Sequence, residues 1–186
     1  GTNSIAGGVV GYQLVGSITG CSSSATVNAG GVAGGVAGLT DSGATLTACY
    51  ATGDVTLVSN GTGTYYAGGV VGDNINRSTV IACYAWGSVT GSGSGTIYVG
   101  GVTGSNNLGT LTACYHANGT VSGPAGTTGG VVGRNFKDSM IGGGIITACY
   151  WGSNPDTGIG YNEGGSTTIE TTKVTDGDWL DAVEQM

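Results

Sequence analysis

The sequence predicts an all-β protein, a parallel β-solenoid of about five coils, from two recurring features. A glycine box of the type Gly-Val-Val-Gly occurs five times, at intervals of 27, 34, 32 and 29 residues. One cysteine follows each box, 13 or 14 residues later in the first four repeats and 19 residues later in the last. Self-similarity at this period is typical of solenoids, propellers and arrays. Short, β-branched, glycine-punctuated runs without a helical period favour the β-solenoid.

The boxes and cysteines fix the repeat boundaries. The boxes begin at Gly8, Gly35, Gly69, Gly101 and Gly130. The cysteines are Cys21, Cys49, Cys83, Cys114 and Cys149. The longer spacing in the last repeat indicates an insertion near Ser139–Gly144. The variable distance from each cysteine to the next box indicates that this second arm of the repeat accepts loop insertions.

Residues of one type recur at one phase of the repeat, as expected where equivalent positions stack about 4.8 Å apart. An apolar residue stands three positions before each cysteine: Ile18, Leu46, Val80, Leu111 and Ile146. Asn74, Asn106 and Asn135 follow three of the boxes, with Gln13 and Thr40 in the same place in the other two. Since asparagine can pair its amide along a stack and tolerates turn geometry, these positions predict a structural ladder. The usual strand twist predicts a right-handed coil.

The direction in which the cysteines point is open between two arrangements. Strict alternation would place the residues at −3, −1 and +1 relative to cysteine in the core, with cysteine outside. Cysteine is, however, among the most buried residue types. This favours inward cysteines, with a bend between positions −3 and 0.

Length and charge limit the class of protein. The chain has 186 residues, enough for one domain, and a formal net charge of −7. Seven of the eleven acidic residues lie after residue 150, so the repeat body is nearly neutral. With four basic residues in all, a nucleic-acid or anionic membrane surface is not expected. No run approaches the ~20 apolar residues of a spanning helix, and the first residues lack a basic signal region, so we expect a mature product or an excised segment.

The last residues differ from the repeats. We assign residues 1–165 to the solenoid, with an incomplete final rung over Gly152–Gly165, and residues 166–186 to a linker and helix. Trp179, Ala182, Val183 and Met186 share one helical face. We expect this amphipathic helix to cap the open solenoid end, or alternatively to dock on a neighbouring domain.

Catalytic and metal-binding patterns are absent from the sequence. The cysteines are odd in number and one per repeat, so we expect a reduced, buried thiol ladder and no zinc site. His116 is the single histidine and is expected at the surface or in a loop. Asp41, Asp54, Asp73 and Asp138 fall at different repeat phases, so no acidic catalytic face is expected. We therefore expect neither an enzyme nor a bound cofactor or metal.

Aromatic residues form the one candidate binding surface. If the cysteines point inward, Tyr50, Tyr84, Tyr115 and Tyr150 form an outward stripe, with Trp86 and Trp151 nearby. Stacked aromatic faces suit sugar rings and flat protein contacts. The alternative is that the tyrosines pack within the solenoid or under a loop.

The boxes, together with Ala-Cys-Tyr-Ala-Thr-Gly-Asp-Val (Ala48–Val55, echoed at Ala82–Val89), resemble the GLUG motif family. The resemblance covers roughly residues 6–186. It implies tandem repeats of a large secreted or surface protein of bacteria, and Thr172–Met186 looks like the tail of Bacteroides-type surface proteins. The implied function is an adhesin-type module that binds a host glycan or protein, at an extracytoplasmic location. The alternatives are a passive stalk within a larger polypeptide and, third, a carbohydrate-active β-helix enzyme.

Overall fold

The computed structural model describes residues 3–138, 142–152, 154–163 and 169–174. These ranges contain 26 β-strands and no helix, so no described segment could cross a membrane as a helix. Almost all strand pairs are parallel and join equivalent positions of successive repeats. The predicted all-β parallel solenoid is therefore confirmed.

Four coils each pass through five strands in the same order. The first contains β1 (Ile5–Gly7), β2 (Val10–Gln13), β3 (Ser17–Thr19), β4 (Ser22–Ser23) and β5 (Val27–Ala29). The second contains β6 (Val32–Gly34), β7 (Ala37–Thr40), β8 (Thr45–Thr47), β9 (Tyr50–Ala51) and β10 (Val55–Ser59). The third contains β11 (Thr64–Gly68), β12 (Val71–Ile75), β13 (Thr79–Ile81), β14 (Tyr84–Ala85) and β15 (Val89–Gly93). The fourth contains β16 (Thr96–Gly100), β17 (Thr103–Asn107), β18 (Thr110–Thr112), β19 (Tyr115–His116) and β20 (Val121–Ser122).

The chain continues past these four coils with strands that lack a complete set of faces. They are β21 (Thr128–Gly129), β22 (Val132–Asp138), β23 (Gly142–Gly143), β24 (Ile145–Trp151), β25 (Ile159–Asn162) and β26 (Ile169–Lys173). None of these described strands joins the sheet formed by β5, β10, β15 and β20. The described residues thus complete about four turns, and the prediction of five coils is not confirmed.

Equivalent strands form four sheets. Sheet 1 contains the first strands of the coils and β21, and sheet 2 contains the second strands with β22 and β25. Sheet 3 contains the third and fourth strands, which merge because β24 pairs with both β18 and β19. Sheet 4 contains the fifth strands. The register matches the sequence phases, since Leu46, Val80, Leu111 and Ile146 stand opposite one another.

The core has two parts. One lies between sheets 2 and 3 and includes Val71, Leu111 and the four cysteines of the later repeats. The other lies between sheets 1 and 4 and includes Leu57, Ile97 and Val99. Burial of these aliphatic columns is the main stabilising term, because each fully buried side chain contributes about 1.5–3 kcal/mol.

A bend in sheet 3 turns the cysteines inward, as the second of the two predicted arrangements requires. The residue before each of the last four cysteines is an alanine with positive φ, and Gly20 occupies this position in the first coil. The left-handed residue breaks the alternation of the strand, so the apolar residue at −3 and the cysteine both face the core. Alanine there is strained relative to glycine by about 1–2 kcal/mol, which the buried column offsets.

The glycine boxes form the tight corner between sheets 1 and 2. A Cβ at Gly69 would lie 2.1 Å from the carbonyl oxygen of Gly101 and 2.5 Å from the Cβ of Ala85. The same clash recurs at the equivalent glycines of the other coils. Glycine is required in the box because the corner of one coil contacts both the next coil and the fourth strand of its own coil, which leaves no space for a side chain.

The asparagine ladder is confirmed. The Asn74 side-chain amide donates to Asn106 Oδ1 at 2.9 Å, and Asn106 donates to Asn135 Oδ1 at 3.1 Å. The Thr40 hydroxyl donates to Asn74 Oδ1 at 2.7 Å. All four side chains are buried. These bonds satisfy polar groups at the corner between sheets 2 and 3 and hold successive coils in register.

The last strands agree with part of the sequence-based prediction. The insertion in the last repeat extends β22, which pairs antiparallel with β23. A partial rung follows, in which β25 pairs with β22 and β26 pairs with β24. Since β26 lies after residue 165, pairing with the solenoid continues into the segment predicted as linker. The predicted helix over residues 176–186 lies outside the described residues.

Candidate ligand-binding surface

Three of the predicted tyrosines form a column on the outside of sheet 3. The rings of Tyr50 and Tyr84 are parallel within 1°, with centroids 4.8 Å apart, and those of Tyr84 and Tyr115 are within 7° at 4.9 Å. All three are half-buried. The inward cysteine places the following tyrosine outward, so the column follows directly from the bend at the preceding alanine.

The stacking determines what this column offers to a ligand. Each ring covers a face of its neighbour, so the column presents ring edges and hydroxyl groups. Burial raises the pKa of both Tyr84 and Tyr115, with a smaller contribution from the neighbouring phenol. The column therefore presents a row of phenol hydroxyl groups about one coil apart, not a row of open aromatic faces.

Trp86 supplies the open aromatic surface. Its side chain is 50% exposed, and it lies two residues beyond Tyr84. The equivalent residues of the neighbouring coils are Thr52 and Ala117, which are much smaller. No ring of the described residues stacks on the indole, so its face is open to a sugar ring or a flat protein contact.

Tyr150 and Trp151 do not belong to this outward surface. Tyr150 is 8% exposed and packs with Val174, which follows β26. Trp151 is 5% exposed and points into the core, where its Nε1 donates to the carbonyl oxygen of Pro155 at 2.9 Å. It occupies the inward position held by alanine in earlier coils and lies against Gly130. The expectation that Trp151 stands beside an outward stripe is wrong, because the residue after each tyrosine faces inward.

His116 is a core residue, which corrects the expectation of a surface or loop position. It occupies the same inward position as Trp151 and is 1% exposed. A ring nitrogen, Nε2, lies 3.0 Å from the carbonyl oxygen of Gly87. Burial lowers the pKa of His116. A neutral imidazole bonded to the backbone is a structural group here.

The cysteines form a buried column of free thiols. None of the five is in a disulfide, and only Cys21 is partly exposed. The Cys49 thiol donates to the carbonyl oxygen of Thr47 at 3.2 Å, and the backbone N–H of Cys49 donates to Cys83 Sγ at 3.3 Å. Burial raises the pKa of Cys49 and of Cys114. Hydrogen bonding with Cys114 lowers the pKa of Cys83 and of Cys149. We expect the column to be unreactive in the folded chain because four of its five thiols are buried.

A second cluster, which we call the arginine cluster, lies outside the corner between sheets 1 and 2 and was not predicted from the sequence. Arg134 donates to Glu163 Oε1 at 2.5 Å and to the Tyr66 hydroxyl at 3.3 Å. Its guanidinium lies 5.5 Å from the ring centroid of Tyr98 and 4.6 Å from that of Phe136. This geometry combines an ion pair with cation–π contacts and fixes the arginine.

Asp73 and Ser105 complete the arginine cluster. They precede two asparagines of the ladder, and Ser105 stands in register between Asp73 on one neighbouring coil and Arg134 on the other. Asp73 Oδ1, Ser105 Oγ and Arg134 Nε are buried without a hydrogen-bond partner among the described residues. Burial raises the pKa of Asp73 to about 7, against the opposing effects of Ser105 and, more weakly, of Arg134. The residues at this phase differ in type from coil to coil, so the sequence offered no pattern to find them.

Comparison with known proteins gives one finding at the level of the family. The model of the GLUG motif matches residues 2–28, which cover the first coil from before β1 into β5. Neither the search of curated proteins nor the search of solved structures found a match. The predicted resemblance to the GLUG motif is thereby confirmed in the first coil, which carries one copy of that motif.

Proposed function

We propose that this chain is an adhesin-type repeat module of a secreted or surface-exposed bacterial protein, and that it binds a host glycan or protein through the outside of sheet 3. The single observation that carries the proposal is the exposed indole of Trp86 beside the tyrosine column. The module works by presenting a rigid surface and performs no reaction. It belongs to a larger polypeptide in an extracytoplasmic location.

Regular stacking favours a second candidate, the passive stalk. The five strands of sheet 1 are related by four coil-to-coil steps, which at about 4.8 Å each give a rise of roughly 19 Å. A rod of this kind separates whatever lies at its two ends. The stalk needs no exposed aromatic group, so Trp86 distinguishes the two candidates.

The test is a glycan and host-matrix array probed with the folded chain, the heat-unfolded chain and two variants. Trp86→Ala removes the indole, and Val58→Ala is the matched control, since Val58 is also exposed but lies on sheet 4. Binding by the folded chain and by Val58→Ala, with loss in Trp86→Ala, supports the module. Equal binding by the two variants would contradict the site. Absence of binding by the folded chain would favour the stalk.

A further inference from the structure

The outward positions of the third strands form a surface of hydroxyl groups, which we call the threonine face. Two columns run along the solenoid on this face of sheet 3. The first contains Ser17, Thr45, Thr79, Thr110 and Ile145. The second contains Thr19, Thr47, Ile81, Thr112 and Thr147. Seven of the ten positions are threonine, while the residue between each pair is an aliphatic that is partly buried at Ile18 and buried in the later coils.

The hydroxyl groups of this face are available to a ligand. Among the described residues, none of these threonine hydroxyls bonds another group of the chain. A hydroxyl group offers one donor and two acceptor positions. Each threonine can therefore both donate to and accept from an incoming hydroxyl group, which is the pairing that sugars offer.

The face is flat and periodic over the second to fourth coils. The tyrosine rings of the same sheet are parallel within 1° and 7° from coil to coil, so successive coils are rotated very little. Their centroids are 4.8 and 4.9 Å apart, which measures the step between coils. Along each strand, alternate residues lie roughly 6.6 Å apart. The hydroxyl groups thus form a regular two-dimensional array.

Charge narrows the class of ligand. The third and fourth strands of the four coils carry no acidic or basic residue apart from His116, which is buried and whose pKa burial lowers. At the border of the face, Arg77 lines a recess with Thr110 and Ile145. The strands themselves offer no partner for a sulfate, phosphate or uronate group, so an anionic ligand that covers several coils would lose hydration with compensation at this one arginine. An uncharged ligand with many hydroxyl groups replaces the hydrogen bonds that it loses to water with hydrogen bonds to each threonine that it covers.

We propose that the threonine face, the tyrosine column and Trp86 form one extended site for a neutral, linear polysaccharide that lies along the solenoid axis. This proposal rests on the proposed function and specifies its ligand. Successive sugar rings meet equivalent hydroxyl groups coil after coil, and Trp86 provides one stacking platform at the edge of the array. Affinity comes from repetition, since each coil adds a similar small contribution.

The test compares two pairs of substitutions that change hydroxyl to methyl on different sheets. Thr47→Val with Thr112→Val alters the threonine face, and Thr56→Val with Thr90→Val alters outward, half-buried positions of sheet 4 as the matched control. Titration calorimetry uses cellohexaose, mannohexaose and chitohexaose as neutral probes and polygalacturonate as the charged probe. We expect a neutral probe to bind the unsubstituted chain, with roughly tenfold weaker binding for the first pair and unchanged binding for the control pair.

Each other outcome has a defined meaning. Equal affinity of the two double variants would overturn the assignment to the threonine face, and preferential binding of polygalacturonate would overturn the neutral ligand. If no neutral probe binds while the array reports a protein or charged glycan that depends on Trp86, this inference fails and the adhesin-type module stands. If the array is silent as well, both fail. Circular dichroism of each variant confirms that it is folded.

Discussion

Substitution of Asp73 by asparagine should remove a pH-dependent destabilisation of the fold. The carboxyl is buried in the arginine cluster with one oxygen unpartnered, and its pKa of about 7 lies roughly three units above the ordinary value of 3.8. Each unit corresponds to about 1.4 kcal/mol, so ionised Asp73 destabilises the folded state by up to about 4 kcal/mol. Asparagine has the same shape and never ionises.

The sign of the pH dependence follows from the raised pKa. The folded state holds the Asp73 proton more tightly than the unfolded chain, so this contribution is fully present below pH 3.8 and is lost as pH rises through about 7. Between pH 5 and pH 8.5 the unsubstituted chain should lose up to about 3 kcal/mol relative to Asp73→Asn. For a chain of this length the difference in melting temperature should widen by roughly 5–10 °C.

The assay is thermal unfolding followed by circular dichroism at pH 5, 7 and 8.5. The control is Asp54→Asn, because Asp54 is exposed and its bond from the Ser88 N–H can be kept by an asparagine oxygen. The control should parallel the unsubstituted chain at each pH. A constant difference between the Asp73 variant and the unsubstituted chain across this range would refute the buried, neutral carboxyl.

Three further predictions test the core. In Ellman titration of the folded chain, only Cys21 should react, and unfolding should expose all five thiols. Several reactive thiols in the folded chain would contradict the buried column. Gly69→Ala should lower the free energy of unfolding by about 2–4 kcal/mol, because the new Cβ would clash with the backbone of the next coil. An unchanged melting temperature would contradict the close packing at the corner between sheets 1 and 2. Asn106→Ala should lower it by about 2–4 kcal/mol in urea unfolding, whereas the exposed Asn28→Ala on sheet 4 should have little effect.

The sequence predicted the features that repeat in every coil. The boxes, the aliphatic column at Leu46 and Leu111, and the ladder at Asn106 each depend on equivalent residues stacking at one step. The same reasoning placed Tyr84 outward once Cys83 was taken as buried. The positive φ of the alanine before each cysteine turns the cysteine inward and the tyrosine outward, and a pattern of residue types does not show this backbone angle.

Features confined to one coil were not predicted. His116 and Trp151 replace alanine at an inward position, and the space that the core leaves for them depends on the three-dimensional packing of several coils. Tyr150 is buried because Val174 returns to cover it, a long-range contact of the last rung. The arginine cluster unites residues of different coils whose identities share no phase pattern. The contacts that could not be predicted are therefore those made by residues that depart from the repeat pattern.

The most direct test of the account is NMR chemical-shift mapping of the chain titrated with cellohexaose, mannohexaose and chitohexaose. The account predicts perturbation of the Trp86 indole and of the backbone amides of Thr47, Thr79 and Thr112, with sheet 4 unaffected. Such a pattern would place a neutral glycan along the outside of sheet 3. Perturbations confined to other sheets, or saturation without any change at Trp86, would contradict it.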